Sequence, residues 1–154
     1  NYFVDRTGDR QREFDGIRAL TGDLGDEGIL IYPEGTRFSE AKLIRARERI
    51  REQIPELTQA AEALTHVLPP RLGGVLTLLD ALPEVDCAFF AHRGLEGLGK
   101  VKDVFSGSVI GSNVRGKVWR VPRSEIPTTD RERIEWLYEQ WALVDTFVKD
   151  TEIG

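Results

Sequence analysis

A chain of 154 residues, 40% apolar and 31% charged, fits one globular domain spanning residues 1–154 and can bury a real core. Its formal net charge of −5 argues against the basic footprint from which nucleic-acid binders gain counterion release, so no nucleic-acid partner is expected and any basic patch is local. The single cysteine, Cys87, leaves no disulfide to form within the chain and fits a reducing compartment; in the apolar run 87–91 it reads as a buried structural thiol rather than a nucleophile.

Short apolar runs alternate with amphipathic stretches, the pattern of βαβ units, so the expected fold is α/β with a largely parallel central sheet flanked by helices. Strands are predicted at 2–4, 28–32, 65–68, 85–91 and 116–121. A first helix is predicted over 9–24, with Phe14, Ile17, Leu20 and Leu24 on one face. Ser39 suits the N-cap of a second, with Glu40 in its first turn where the helix dipole favours an acid, ending near Ile54 and Pro55. Pro55 opens a short helical run, and Gly73-Gly74 lead into an apolar helix that Pro83 ends.

The last helix runs from Asp130 to about Lys149, with Ile134, Leu137, Tyr138, Trp141, Val144 and Val148 on one stripe that only Asp145 interrupts. Trp136 falls off that stripe and aligns with Leu143 and Phe147 in a second apolar row, which suits secondary packing or a membrane-interface anchor. No uninterrupted apolar run reaches the roughly 20 residues that span a bilayer, and no signal-peptide pattern is present. The chain starts at Asn1, contains no methionine, and enters at once on a strand-like segment, which suggests an excerpt of a longer protein.

The chemistry concentrates where the apolar run 28–32 turns through Pro33-Glu34-Gly35-Thr36-Arg37 into the helix after Ser39, the place where α/β sheets put ligands. Gly35 permits a tight backbone or a close approach, Arg37 offers a planar fork that suits phosphate, and helix N-terminal amides favour an anion. Glu34 can fix Arg37 or accept from a substrate hydroxyl. A capped turn with a surface ion pair fits the same residues, and their chemistry leaves both readings open. The basic run Lys42, Arg45, Arg47, Arg49 and Arg51 is interleaved with Glu48 and Glu52; it reads as a solvated, ion-paired face, with contact to anionic headgroups or coenzyme A phosphates as the functional alternative. Arg115, Lys117, Arg120 and Arg123 read as the polar side of an edge strand. No cluster has metal-ligand spacing and no nucleotide-binding glycine loop is present, so neither a metal nor a cofactor is expected.

The octapeptide Tyr32-Pro33-Glu34-Gly35-Thr36-Arg37-Phe38-Ser39 resembles the third conserved block of the glycerolipid acyltransferases, the family of 1-acylglycerol-3-phosphate acyltransferases. Phe3-Val4-Asp5-Arg6 resembles the second block and the segment from His66 to Gly74 the fourth, in the family's order. The resemblance implies a glycerol-3-phosphate acyltransferase-like fold and an acyl transfer to the free hydroxyl of 1-acylglycerol-3-phosphate or a related lysophospholipid. It implies an acyl-CoA or acyl carrier protein thioester as co-substrate, no cofactor, and a membrane-associated enzyme of the cytoplasmic face. Arg6, Glu34 and Arg37 would hold the glycerol phosphate with Gly35 and Thr36 between them, Pro70 would shape the pocket, and Arg71 matches the subgroup reading His-x-Leu-x-Pro-Arg.

The family's first block, His-x-x-x-x-Asp, has no counterpart: Arg71 stands five positions after His66 and Gly97 five after His92. His66 and His92 are therefore read as packed or hydrogen-bonded residues. The catalytic pair is expected before Asn1, so these residues alone are expected to be inactive; the alternative is a non-catalytic phospholipid-binding module of the same fold.

Overall fold

The computed structural model describes residues 15–16, 28–94 and 113–151. The predicted strand at 2–4 and Arg6 lie outside these residues, as does all of the predicted first helix except the helical Asp15 and Gly16.

Helix α1, Glu40–Gln53, starts and stops where its sequence signals place it. Ser39 occupies the N-cap with extended backbone (φ −156°, ψ 150°), but its hydroxyl makes no capping bond. Only Leu43 is buried, with Ile50 packed at the edge of the core, as befits a helix with a thin apolar stripe. Pro55, which has no N–H to give, opens the 3-10 turn Pro55–Leu57 and the short helix α2, Thr58–Ala63. Arg47 donates to the carbonyls of Ala61 (3.3 Å), Glu62 (2.9 Å) and Leu64 (2.6 Å) at the end of α2, and Arg51 pairs with Glu62 at 2.7 Å. Two cations of the basic run thus hold α1 to α2.

Residues 65–71 run as an irregular segment rather than the strand predicted at 65–68. Helix α3, Leu72–Ala81, follows and buries Val75, Leu76 and Leu79. Strands β1, Cys87–Arg93, and β2, Arg115–Val121, pair antiparallel with Phe89 opposite Trp119 and Phe90 opposite Val118. This is the ladder present among the described residues; residues 28–32, predicted as a strand, run without regular structure and have no strand partner among them. Because side chains alternate, Phe89, Ala91, Trp119 and Val121 share the inner face while Phe90 and Val118 point outward. Cys87 is half-buried, which pushes its thiol above the ordinary value.

The basic residues of β2 do not form one polar side. Lys117 lies 5.7 Å over the Trp119 ring, whereas Arg120, on the opposite face, pairs with Asp86, and Arg123 donates to the Pro83 carbonyl at 2.6 Å. The even and odd positions of the pleated strand separate Lys117 from Arg120, and Arg123 stands past its end in the 3-10 turn Arg123–Glu125.

Helix α4, Asp130–Asp150, begins at Thr129, whose hydroxyl accepts the Glu132 N–H. It buries Ile134, Leu137, Tyr138, Trp141 and Val144 of the predicted stripe, with Val148 partly buried at the core's edge. Trp136 is also buried and meets Phe89 edge-on at 5.6 Å, while Phe89 stacks on Trp119 at 5.4 Å. Its second row is therefore secondary packing against the sheet; Phe147 joins the core edge and Leu143 stays half-exposed. Arg133, 5% exposed, joins α4 to α3 through Asp80 at 2.5 Å. No helix among the described residues is long and apolar enough to cross a membrane.

Candidate functional site

The turn after residue 31 closes with the Gly35 N–H on the Tyr32 carbonyl at 2.9 Å. Gly35 has φ +66°, the left-handed region that side chains disfavour. A Cβ at this position would lie 2.7 Å from Arg71 Cζ and 2.8 Å from Nε, so the glycine serves a positive φ and a close approach at once. The approaching group is the Arg71 guanidinium, and the Arg71 N–H donates to the Pro33 carbonyl at 2.8 Å. Two sequence blocks separated by all of α1 and α2 meet here.

Of the predicted site residues, Glu34, Gly35, Thr36 and Arg37 share this turn, Arg71 lies against it, and Pro70 is buried directly before Arg71. Arg37 and Arg71 are both exposed. Arg6 lies outside the described residues. The structure adds Lys42 from the first turn of α1, whose ammonium donates to Thr36 Oγ1 at 2.9 Å and to the Arg37 carbonyl at 3.0 Å. Sequence reading placed Lys42 in a solvated basic run; instead it braces the turn and adds a positive charge beside Arg37.

Glu34 points inward. Burial pushes its carboxyl from 4.5 up to about 7, against the pull of the Leu68 N–H it accepts and with a smaller upward push from the Asp145 charge. Near neutral pH it is therefore partly protonated and can donate as well as accept.

Asp145, the interruption in the apolar stripe of α4, is buried. Its Oδ1 accepts the N–H groups of Thr65 (2.8 Å), His66 (2.5 Å) and Val67 (3.1 Å), and its Oδ2 the Thr65 hydroxyl at 3.2 Å. One turn earlier, Trp141 Nε1 donates to the Leu68 carbonyl at 2.8 Å. No sequence motif announces this arrangement, because the partners are backbone groups; an acid on an apolar helix face was the available signal. His66 pairs its Nδ1 with Thr65 Oγ1 at 2.8 Å, the hydrogen-bonded role expected of it. His92 tilts against Phe90 at 5.6 Å.

Two curated relatives carry informative names. An uncharacterized acyltransferase of Schizosaccharomyces pombe is 25% identical over 156 residues, covering 90% of this chain and 41% of that protein. Lysophosphatidylinositol acyltransferase 10 of Caenorhabditis elegans is 23% identical over 127 residues, covering 79% of this chain and 31% of that protein. The chain thus spans less than half the length of these relatives. No family model matches it. No solved structure matches it either. The similarity makes the chain a distant relative of acyltransferases.

Proposed function

We propose that these residues form the acceptor-binding part of an acyltransferase acting on lysophospholipids, within an α/β domain whose central sheet is largely parallel. The observation that carries the reading is the meeting of the two blocks: Arg71 lies over Gly35 while Lys42 braces Thr36 and Arg37. Three cationic side chains and a glycine turn at the start of a helix make a cradle for a phosphate. The lysophosphatidylinositol acyltransferase name of one relative supports a lysophospholipid as acceptor, with 1-acylglycerol-3-phosphate or a phosphodiester relative as the class.

In this reading the acceptor hydroxyl attacks the carbonyl of an acyl thioester, carried by coenzyme A or an acyl carrier protein. The new C–O ester bond forms as the C–S bond breaks, the hydroxyl proton passes to a base supplied from outside these residues, and the sulfur leaves with the electron pair as a thiolate that takes up a proton to give the free thiol of coenzyme A or the carrier. The chain's own part is positioning. Holding the phosphate fixes the hydroxyl beside the thioester and turns a bimolecular encounter into an effectively intramolecular one. Because the acceptor lives in a bilayer, the site works at a membrane surface, on the cytoplasmic face in this reading.

The test is acyl transfer by the protein with its flanking sequence, across a panel of lysophospholipids, in the native form and as Arg37→Ala. The expected outcome is turnover by the native protein and a loss in the variant that acts through the acceptor KM and not the donor KM. Lysophospholipid binding without turnover would favour a non-catalytic lipid-binding module, and unchanged acceptor kinetics in Arg37→Ala would sink the site assignment.

A further inference from the structure

The backbone donors of residues 65–71 divide between two neighbours. Those of Thr65, His66 and Val67 go to the Asp145 carboxylate on α4, and that of Leu68 goes to the Glu34 carboxylate in the turn. Pro69 and Pro70 have none to give, and that of Arg71 goes to the Pro33 carbonyl, again in the turn. The Leu68 carbonyl accepts from Trp141, so α4 also holds the segment at the residue where its donors change sides. The segment is a bracket, bonded to α4 along its first half and to the acceptor turn along its second. Two buried prolines of fixed φ stiffen it between.

We propose that Asp145, assisted by Trp141, is a positioning residue for the acceptor site: by fixing residues 65–68 against α4 it sets where Arg71 and the Leu68 amide meet the 32–37 turn. The inference rests on the acceptor-site reading above and adds to it a residue of α4 that holds the first half of the bracket. A carboxylate accepting three consecutive N–H groups is a charge-assisted arrangement that no neutral side chain reproduces in full. Replacing it by a neutral amide weakens the acceptor of all three donors, of which the Val67 N–H lies in a buried place, and the segment shifts to recover the bonding it loses. A shift at Arg71 reaches the phosphate cradle directly, since its guanidinium lies in van der Waals reach of Gly35.

The experiment compares the flanked protein with Asp145→Asn and Trp141→Phe, reading acceptor KM, donor KM and kcat together with hydrogen exchange at the amides of residues 35, 65–68 and 71. Misplacement by about an ångström predicts an acceptor KM raised by roughly tenfold or more in Asp145→Asn and less in Trp141→Phe, with donor KM within about twofold. A residue that served stability alone would lower active protein without this split. Exchange at 65–67 is expected to quicken in Asp145→Asn, and the quickening to extend to the Gly35 and Arg71 amides across the bracket. If Asp145→Asn does not fold, Trp141→Phe carries the same comparison. Should the native protein transfer no acyl group, the function reading fails while the exchange arm still decides the linkage. Unchanged protection at Gly35 and Arg71 in a variant that loses it at 65–67, or equal rises in both KM values, would overturn the proposal.

Discussion

The aromatic core where α4 crosses β1 and β2 and the bracket where α4 holds residues 65–68 lie on the same helix but are built differently. In the first, Phe89, Trp119, Trp136 and Leu137 exclude water and owe their order to shape, so the stabilisation is non-directional and spread over many contacts. In the second, one carboxylate and one indole hold a run of backbone through four hydrogen bonds, with a fifth from the Thr65 hydroxyl. A core of the first kind tolerates volume-conserving change, whereas the second depends on particular atoms. The core and the hold on residues 65–68 thus rest on different contacts of α4, and substitutions are expected to drive them apart.

The largest expected effect is in the core. Leu137, 1% exposed, becomes a cavity in Leu137→Ala, which is expected to cost about 2–5 kcal/mol in chemical denaturation. Acceptor KM of the protein that remains folded should stay within about twofold. A change of acceptor affinity as large as that of Asp145→Asn would break the separation. The next largest is Glu34→Gln. Glu34 has its carboxyl raised from 4.5 to about 7 in the folded chain, so the stability linked to its protonation is fully present below about pH 4.5 and is lost as pH rises through 7. Glutamine removes that loss. The variant is therefore expected to match the native protein at pH 4.5 and to exceed it at pH 8.5 by roughly 1 kcal/mol, a figure discounted for partial solvent screening. The same substitution should flatten any rise in acceptor KM above pH 7, and an equal pH dependence in both proteins would contradict the role given to burial.

The smallest effect concerns Tyr138, whose buried hydroxyl has no hydrogen-bond partner and whose phenol is pushed up to about 12 by burial. Tyr138→Phe removes an uncompensated polar group while keeping the ring, so it is expected to leave stability unchanged or raise it by up to about 1 kcal/mol. A loss of more than about 1 kcal/mol would reveal a bonded hydroxyl and place a polar anchor in the apolar stripe.

Periodicity made the core legible. The α4 stripe, the bounds of α1, the proline starts and stops, and the strands near 87–93 and 115–121 follow from side-chain pattern, and the pattern is what the core uses. The turn was legible through its resemblance to a family block, since its residues alone fit a capped surface turn equally well. The bracket was not. A strand was predicted at 65–68 from its apolar residues, yet the N–H groups of 65–67 are held by Asp145 and have none left for a ladder. Asp145 read as a flaw in a stripe because sequence shows an acid's position but not the backbone that will point at it. Lys42 was submerged in a run of like charges, and only the fold separates it from Arg47 and Arg51, which brace α2.

The central claim is that Arg37, Lys42 and Arg71 converge on the acceptor's phosphate. It is tested most directly by acceptor KM for Arg71→Ala in the flanked protein, measured on a lysophospholipid and with donor KM as the internal control. The account predicts a rise of roughly tenfold or more in acceptor KM, donor KM within about twofold, and folding stability within about 0.5 kcal/mol because the side chain is exposed. An unchanged acceptor KM, or a matching rise for the donor, would contradict it.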